Sequence, residues 1–160
     1  MPLIKPSAVL LSLVCAASSI LGIFSANPIV GGPSAEPASY TLEAVHQFLN
    51  FIWLENLSIP STGEIVATDI SNGVIYLVYP AENPTPASAI AQLPPGTCLT
   101  GIAELRPDVF YVQSVDGFVY NFTFTPGSAT LWEVDLRDSA RGAVVTKVLS
   151  MPENKVPNGL

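Results

Sequence analysis

From Trp53 onward the chain alternates short apolar runs with turn residues, and the runs are too short and too rich in β-branched and aromatic side chains to read as helices. Trp53 to Ile59 is followed by Pro60-Ser61-Thr62-Gly63, Glu64 to Ile70 by Ser71-Asn72-Gly73, and Val74 to Tyr79 by a loop from Pro80 to Pro86. Ser88 to Leu93 alternates loosely and stops at Pro94-Pro95-Gly96. Asn72-Gly73 between two apolar runs predicts a type I′ hairpin turn, because both residues tolerate positive φ. The same order then returns. Leu99 to Leu105 precedes Arg106-Pro107-Asp108, and Val109 to Val115 leads into Asp116-Gly117, which predicts a second turn of the hairpin kind. Phe118 to Thr125 extends that hairpin, Pro126-Gly127-Ser128 interrupts it, and Thr130 to Leu136 and Val144 to Ser150 supply two more strands.

Two four-stranded units thus cover about residues 53–95 and 99–152. A repeat of roughly 40 to 50 residues with four strands in each unit is how a β-propeller blade looks in sequence. The expected fold is all-β, a partial β-propeller of about two four-stranded antiparallel blades within residues 42–160, with residues 157–160 opening a third. Leu42 to Phe51 could be a short helical face or an irregular strand. The strand is favoured, since an N-terminal segment often supplies an outer strand in a propeller.

The segment before this repeat reads differently. Lys5 followed by the apolar run Ala8 to Phe24, with small residues near its end, predicts a secretory signal peptide over residues 1–26. An uncleaved anchor is the alternative reading of the same run. Residues 27–41, rich in Pro, Gly, Ala and Ser, predict a linker. The mature protein is then expected in the secretory pathway or outside the cell.

Composition narrows the partners. Charged residues make up 12% of the 160, whereas Pro and Gly number 15 and 11, a balance that suits many strands and turns. The net charge is -7 and the 6 Lys and Arg residues are scattered, which argues against a nucleic-acid partner. Cys15 falls in the leader and leaves Cys98 alone, so Cys98 reads as a buried hydrophobe rather than a nucleophile. His46, the only histidine, reads as a surface or edge residue. Trp53 and Trp132 read as core residues between blades. The signatures of phosphate-binding loops, nucleophile elbows and zinc proteases do not occur. Two N-x-S/T sequons, Asn56-Leu57-Ser58 and Asn121-Phe122-Thr123, predict N-glycosylation, more readily at Asn121 in an exposed hairpin than at Asn56 in an inner strand.

An ordered set of short motifs carries a family resemblance: Trp53-Leu54-Glu55-Asn56, Gly63-Glu64-Ile65-Val66-Ala67-Thr68, Gly101-Ile102-Ala103-Glu104, Pro107-Asp108-Val109-Phe110, Leu131-Trp132-Glu133-Val134-Asp135-Leu136 and Asn158-Gly159. Together, over roughly Val45 to Leu160, they resemble the senescence marker protein/gluconolactonase superfamily, in a branch found in fungi. The resemblance implies the first two blades of a six-bladed ring around an axial site. It implies that Glu55 and Asn158 are ligands of calcium or another divalent cation, with further ligands on other blades. Glu104, in the inner strand of the second unit, is a channel-facing candidate, although a partnership with Arg106 or Arg137 is the simpler expectation. Glu55 could equally hydrogen-bond to a neighbouring blade, and Asn158 could be a turn residue beside Gly159.

The resemblance further implies a role in fungal specialised metabolism, assisting a hetero-Diels–Alder-type cyclisation of a small hydrophobic metabolite. Calcium-dependent lactone or ester hydrolysis is the second implication. A non-catalytic fragment or binding module is the third, with self-association through open blade edges. No residue is singled out as catalytic.

Overall fold

The computed structural model describes residues 7–11, 20–26, 40–49, 51–82, 86–138 and 142–160. Twelve strands and one short 3-10 helix make up these residues, in three antiparallel sheets. The first sheet is a meander of β1 (Ser7–Leu11), β2 (Ile20–Ala26) and β3 (Tyr40–Gln47). Its third strand bears out the strand reading of the segment after residue 41. β1 and β2 fall in the segment read as a leader, while residues 27–39 of the expected linker lie outside the described residues.

The second sheet is the first predicted unit, β4 (Leu54–Ser58), β5 (Ile65–Asp69), β6 (Val74–Val78) and β7 (Ala87–Gln92), in that spatial order. The third is the second unit, β8 (Thr97–Arg106), β9 (Val109–Phe118), β11 (Thr130–Asp135) and β12 (Val144–Ser150), with the two-residue β10 (Thr123–Phe124) extending the β9 hairpin. The protein is therefore all-β, with two consecutive blade-like meanders that do not close on themselves, as a partial propeller requires.

β5 explains how the sheets stack. All five of its residues are buried, because Val66 faces the third sheet while Ile65 and Ala67 face Phe48, Ile52 and Leu54 on the other side. A strand covered on both faces reads as a continuous apolar run instead of alternating, which is how Ile65-Val66-Ala67 reads. The main core joins the two blades: Val66, Ile75 and Leu93 pack with Leu99, Ile102, Phe110, Val112 and Val134. Each such side chain contributes about 1.5–3 kcal/mol when fully buried.

Two turn predictions need correction. Ile70, Ser71, Asn72 and Gly73 form a four-residue loop, since Asp69 pairs with Val74, and of Asn72 and Gly73 only the glycine takes positive φ (66°). The buried Asp69 carboxylate organises this loop. It accepts from Ser71 N (2.9 Å), Ser71 Oγ (2.5 Å) and Asn72 Nδ2 (2.6 Å), and from Trp53 N at 3.3 Å, which ties the loop to the start of β4. A Cβ on Gly73 would stand 2.7 Å from Thr97 O, so the entry to the second blade fits only against glycine. Asp116-Gly117 is not a turn either. Both lie in β9, and the reversal comes at the 3-10 helix Val119–Asn121 and at Phe122 (φ 52°). Gly117 faces Phe124 in the ladder at a separation that leaves no room for a side chain, which is why glycine stands there.

Replacing Asp69 by Ala leaves these donors without their acceptor inside the fold. The expected loss is roughly 1.5–3 kcal/mol of unfolding free energy, measured by urea titration followed by tryptophan fluorescence. An unchanged midpoint would show that the carboxylate does not organise the loop.

Candidate functional site

The inner strands β4 and β8 lie side by side, and the residues singled out for an axial site collect along this edge. After β12 the chain turns at Met151–Asn154, where Asn154 N donates to Met151 O (3.0 Å), and returns across the second blade. Its approach is close: a Cβ on Gly101 of β8 would stand 3.2 Å from both Gly159 N and Gln113 Oε1. There Asn158 Nδ2 donates to Glu55 Oε1 at 3.1 Å, across 103 residues of sequence. The two expected ligands are thus neighbours at the inner edge, on the surface. Beside them a groove of about 400 Å³ is lined by Gln113 and residues 153–159.

Oxygen donors are few here. Gln113 Oε1, a buried acceptor with no hydrogen-bond partner, and the exposed Glu153 and Asn154 of the groove are the additions that sequence reasoning missed. Calcium takes about six to eight oxygens, and among the described residues no three His, Cys, Asp or Glu side chains gather in one place. These residues alone do not make up a divalent-cation centre.

Glu104 has a local task. Its Oε1 accepts from Asp108 N (2.9 Å) and so closes the β8–β9 turn, in which Asp108 has φ 59°. The expected partnership with Arg106 or Arg137 is corrected. Arg106 Nη2 donates to Glu133 Oε2 (2.8 Å), and Arg137 clamps Asp135 through Nε (3.0 Å) and Nη2 (2.5 Å). Register is the reason: Glu104 opposes Phe110, whereas Glu133 opposes Tyr111 on the other face of β9. Tyr111 Oη also donates to Glu133 (2.6 Å), and this bond pushes the phenol pKa up.

The remaining candidates fall where burial and pairing put them. Cys98 is buried, its thiol pKa raised chiefly by that burial. Trp132 Nε1 donates to Ser114 Oγ (2.7 Å) and its ring packs on the core between the blades. Trp53 packs at the loop end of the stack beside Ile70 and Val119, with its Nε1 buried and unpartnered. His46 is half-buried, edge-on to the Phe48 ring at 4.6 Å. Asn56 is half-buried in β4, and its Oδ1 accepts from Leu57 N (2.9 Å). Asn121 is exposed at the 3-10 helix.

A second concavity lies away from the axial pair. A hollow of about 240 Å³ opens between the blades, with Leu77, Ile90, Leu136 and Ala143 as apolar lining and Glu64, Tyr79, Asp108 and Arg137 as polar lining. The sequence placed none of these residues in a site, because they come from strands and turns of both units and meet only when the sheets stack. Arg137 holds Asp135 through Nε and Nη2. The recess sets apolar side chains beside two donors, Tyr79 and Arg137, and two carboxylates, Glu64 and Asp108.

The Arg137 clamp has a measurable consequence. Hydrogen bonds from its side chain, and then from its backbone N–H, lower the Asp135 pKa from 3.8 to about 2. A depressed carboxylate stabilises the fold above its unfolded value and loses that contribution as pH falls through about 2. Arg137→Met is expected to raise the Asp135 titration part of the way towards 3.8, since the backbone N–H of residue 137 stays in place, read from side-chain carboxyl NMR shifts. An unmoved midpoint would overturn the assignment. Compared with family models, with curated proteins and with solved structures, the chain matches none.

Proposed function

We propose that this chain is a secreted propeller-type protein of fungal specialised metabolism that holds a small hydrophobic intermediate in the hollow between its two blades and assists a Diels–Alder-type cyclisation there. The observation that carries the reading is the make-up of that hollow. Leu77, Ile90 and Leu136 offer apolar contact, while the Tyr79 hydroxyl and the Arg137 guanidinium offer hydrogen bonds. A pericyclic step needs no nucleophile or acid–base pair. It gains from holding diene and dienophile in reacting geometry, and from a donor on the dienophile's carbonyl that polarises it as the bonds form. The family resemblance of the ordered motifs supports the same reading.

The test uses an activated diene–dienophile substrate in single-turnover assays. Tyr79→Phe is expected to lower the rate about fivefold while leaving affinity within about twofold, since one neutral hydrogen bond is worth about 1 kcal/mol. Leu136→Arg is expected to abolish binding. Binding without acceleration would instead leave a non-catalytic binding module.

The contact between Glu55 and Asn158 favours a second reading, calcium-dependent lactone or ester hydrolysis, with the other ligands supplied from outside the described residues. Calcium is then expected to raise the melting temperature, and Glu55→Gln to abolish the rise. A flat response to calcium in the unaltered protein would sink this reading. β7 and β12 are the outer strands of their sheets, and their open edges support self-association of the kind unpaired strands invite. A concentration-independent monomer in light scattering would argue against it.

A further inference from the structure

The loop that replaces the expected Asp116-Gly117 turn is unusually aromatic for an exposed segment. Phe118, Tyr120 and Phe122 are 68%, 60% and 69% exposed, and the sequon Asn121-Phe122-Thr123 lies among them. Two of these rings already have neighbours: Tyr120 lies 5.4 Å from Phe51, and Phe122 meets Trp53 edge-on at 6.1 Å. Phe118 has no ring neighbour among the described residues. It stands directly opposite Thr123 in the β9–β10 ladder. Directly opposed residues of an antiparallel pair project from the same face, so the Phe118 ring and the sequon threonine share one side of the hairpin. Asn121 and Thr123 are bonded to each other across the turn: Asn121 Oδ1 accepts from Thr123 N at 3.2 Å, and Thr123 Oγ1 donates to Asn121 O at 3.5 Å.

From this juxtaposition we infer that Asn121 carries an N-linked glycan whose first N-acetylglucosamine packs on the Phe118 ring. The inference rests on the secretory reading. In the covalent step Asn121 Nδ2 forms a bond to the anomeric carbon of an oligosaccharide donor. The anomeric carbon–oxygen bond to a polyprenyl diphosphate breaks, the diphosphate leaves with the electron pair, and Nδ2 gives up a proton. With its Oδ1 held by Thr123 N, the Asn121 amide directs the sugar along the hairpin towards Phe118. The axial C–H bonds of the sugar meet the electron-rich face of the ring, the favourable sense of approach to an aromatic quadrupole. The glycan thereby covers a ring that would otherwise stand in water. Asn56 is not used in this way: it is half-buried in an inner strand, and its Oδ1 is bonded to the adjacent Leu57 N.

The test expresses the full chain behind a foreign signal peptide in a eukaryotic secretory host, so that the outcome does not depend on residues 1–26. Intact mass is expected to show one glycan, lost in both Asn121→Gln and Thr123→Ala and kept in Asn56→Gln. Trimming to a single N-acetylglucosamine is expected to keep the melting temperature roughly 2–4 °C above that of the fully deglycosylated protein, a difference of about 1 kcal/mol for a chain of this size. Phe118→Ala is expected to remain glycosylated and to lose most of that difference, whereas Tyr120→Ala is expected to keep it. An unmodified Asn121 would overturn the site. A glycan whose removal shifts the unaltered protein and Phe118→Ala equally would overturn the packing. Binding in the hollow between the blades is read out separately, so neither result is confused with failure of the cyclisation reading.

Discussion

The apolar seam between the two blades is the contact from which the other features follow. Val66 and Ile75 on one sheet press against Leu99, Phe110, Val112 and Val134 on the other, all nearly or fully removed from water. Neither sheet could bury these residues alone, because a four-stranded meander has two faces and no interior. Stacking also sets β4 beside β8 and so creates the edge at which Glu55 and Asn158 meet. The hollow lined by Leu77, Ile90 and Leu136 opens between the same two sheets.

The connections between strands reinforce the seam by chemically distinct means. Backbone and carboxylate bonds fix the loops within each blade: Asp69 holds its own loop and Trp53 N, Leu93 N donates to Gly73 O (2.9 Å), and Gly117 N donates to Gly96 O (2.8 Å) at the start of the β8–β9 ladder. Buried carboxylates persist where donors surround them, and Asp69 meets that condition. Arg137 and Asp135, by contrast, form a solvent-open clamp beside the hollow, and Arg106, Tyr111 and Glu133 join three strands on the sheet face turned away from the first blade. Open ion pairs of this kind contribute little to stability. Of these groups, only Arg137 lines the hollow.

Both concave regions present hydrogen-bond donors and acceptors. Glu55, Asn158 and Gln113 meet where β4 lies beside β8, with Glu153, Asn154 and Lys155 in the adjoining groove, and Thr62, Glu64, Tyr79, Asp108 and Arg137 are the polar lining of the hollow. The glycan inferred at Asn121 belongs to a different loop, where exposed aromatic rings rather than charge decide what can be covered.

Strand positions were legible in the sequence because alternation and turn residues are local signals. Eight of the predicted runs coincide with β4 to β9, β11 and β12 to within a few residues. Turn details were less so. Asn72-Gly73 looks like a two-residue turn until the Asp69 carboxylate recruits four residues into the loop, and Asp116-Gly117 looks like a turn until β10 pairs across it. The motif pairing of Glu55 with Asn158 was also available from the sequence, as an ordered resemblance. What only the tertiary structure decided was which side chains stand together: Gln113 beside Gly101 and Gly159, Glu104 on Asp108 rather than on an arginine, and Leu77, Tyr79, Ile90, Leu136 and Arg137 around one hollow. Local pattern determines which face of a strand is apolar, but contacts between residues far apart in the chain depend on how two sheets stack and in what register, and that is settled by the packing of the seam as a whole.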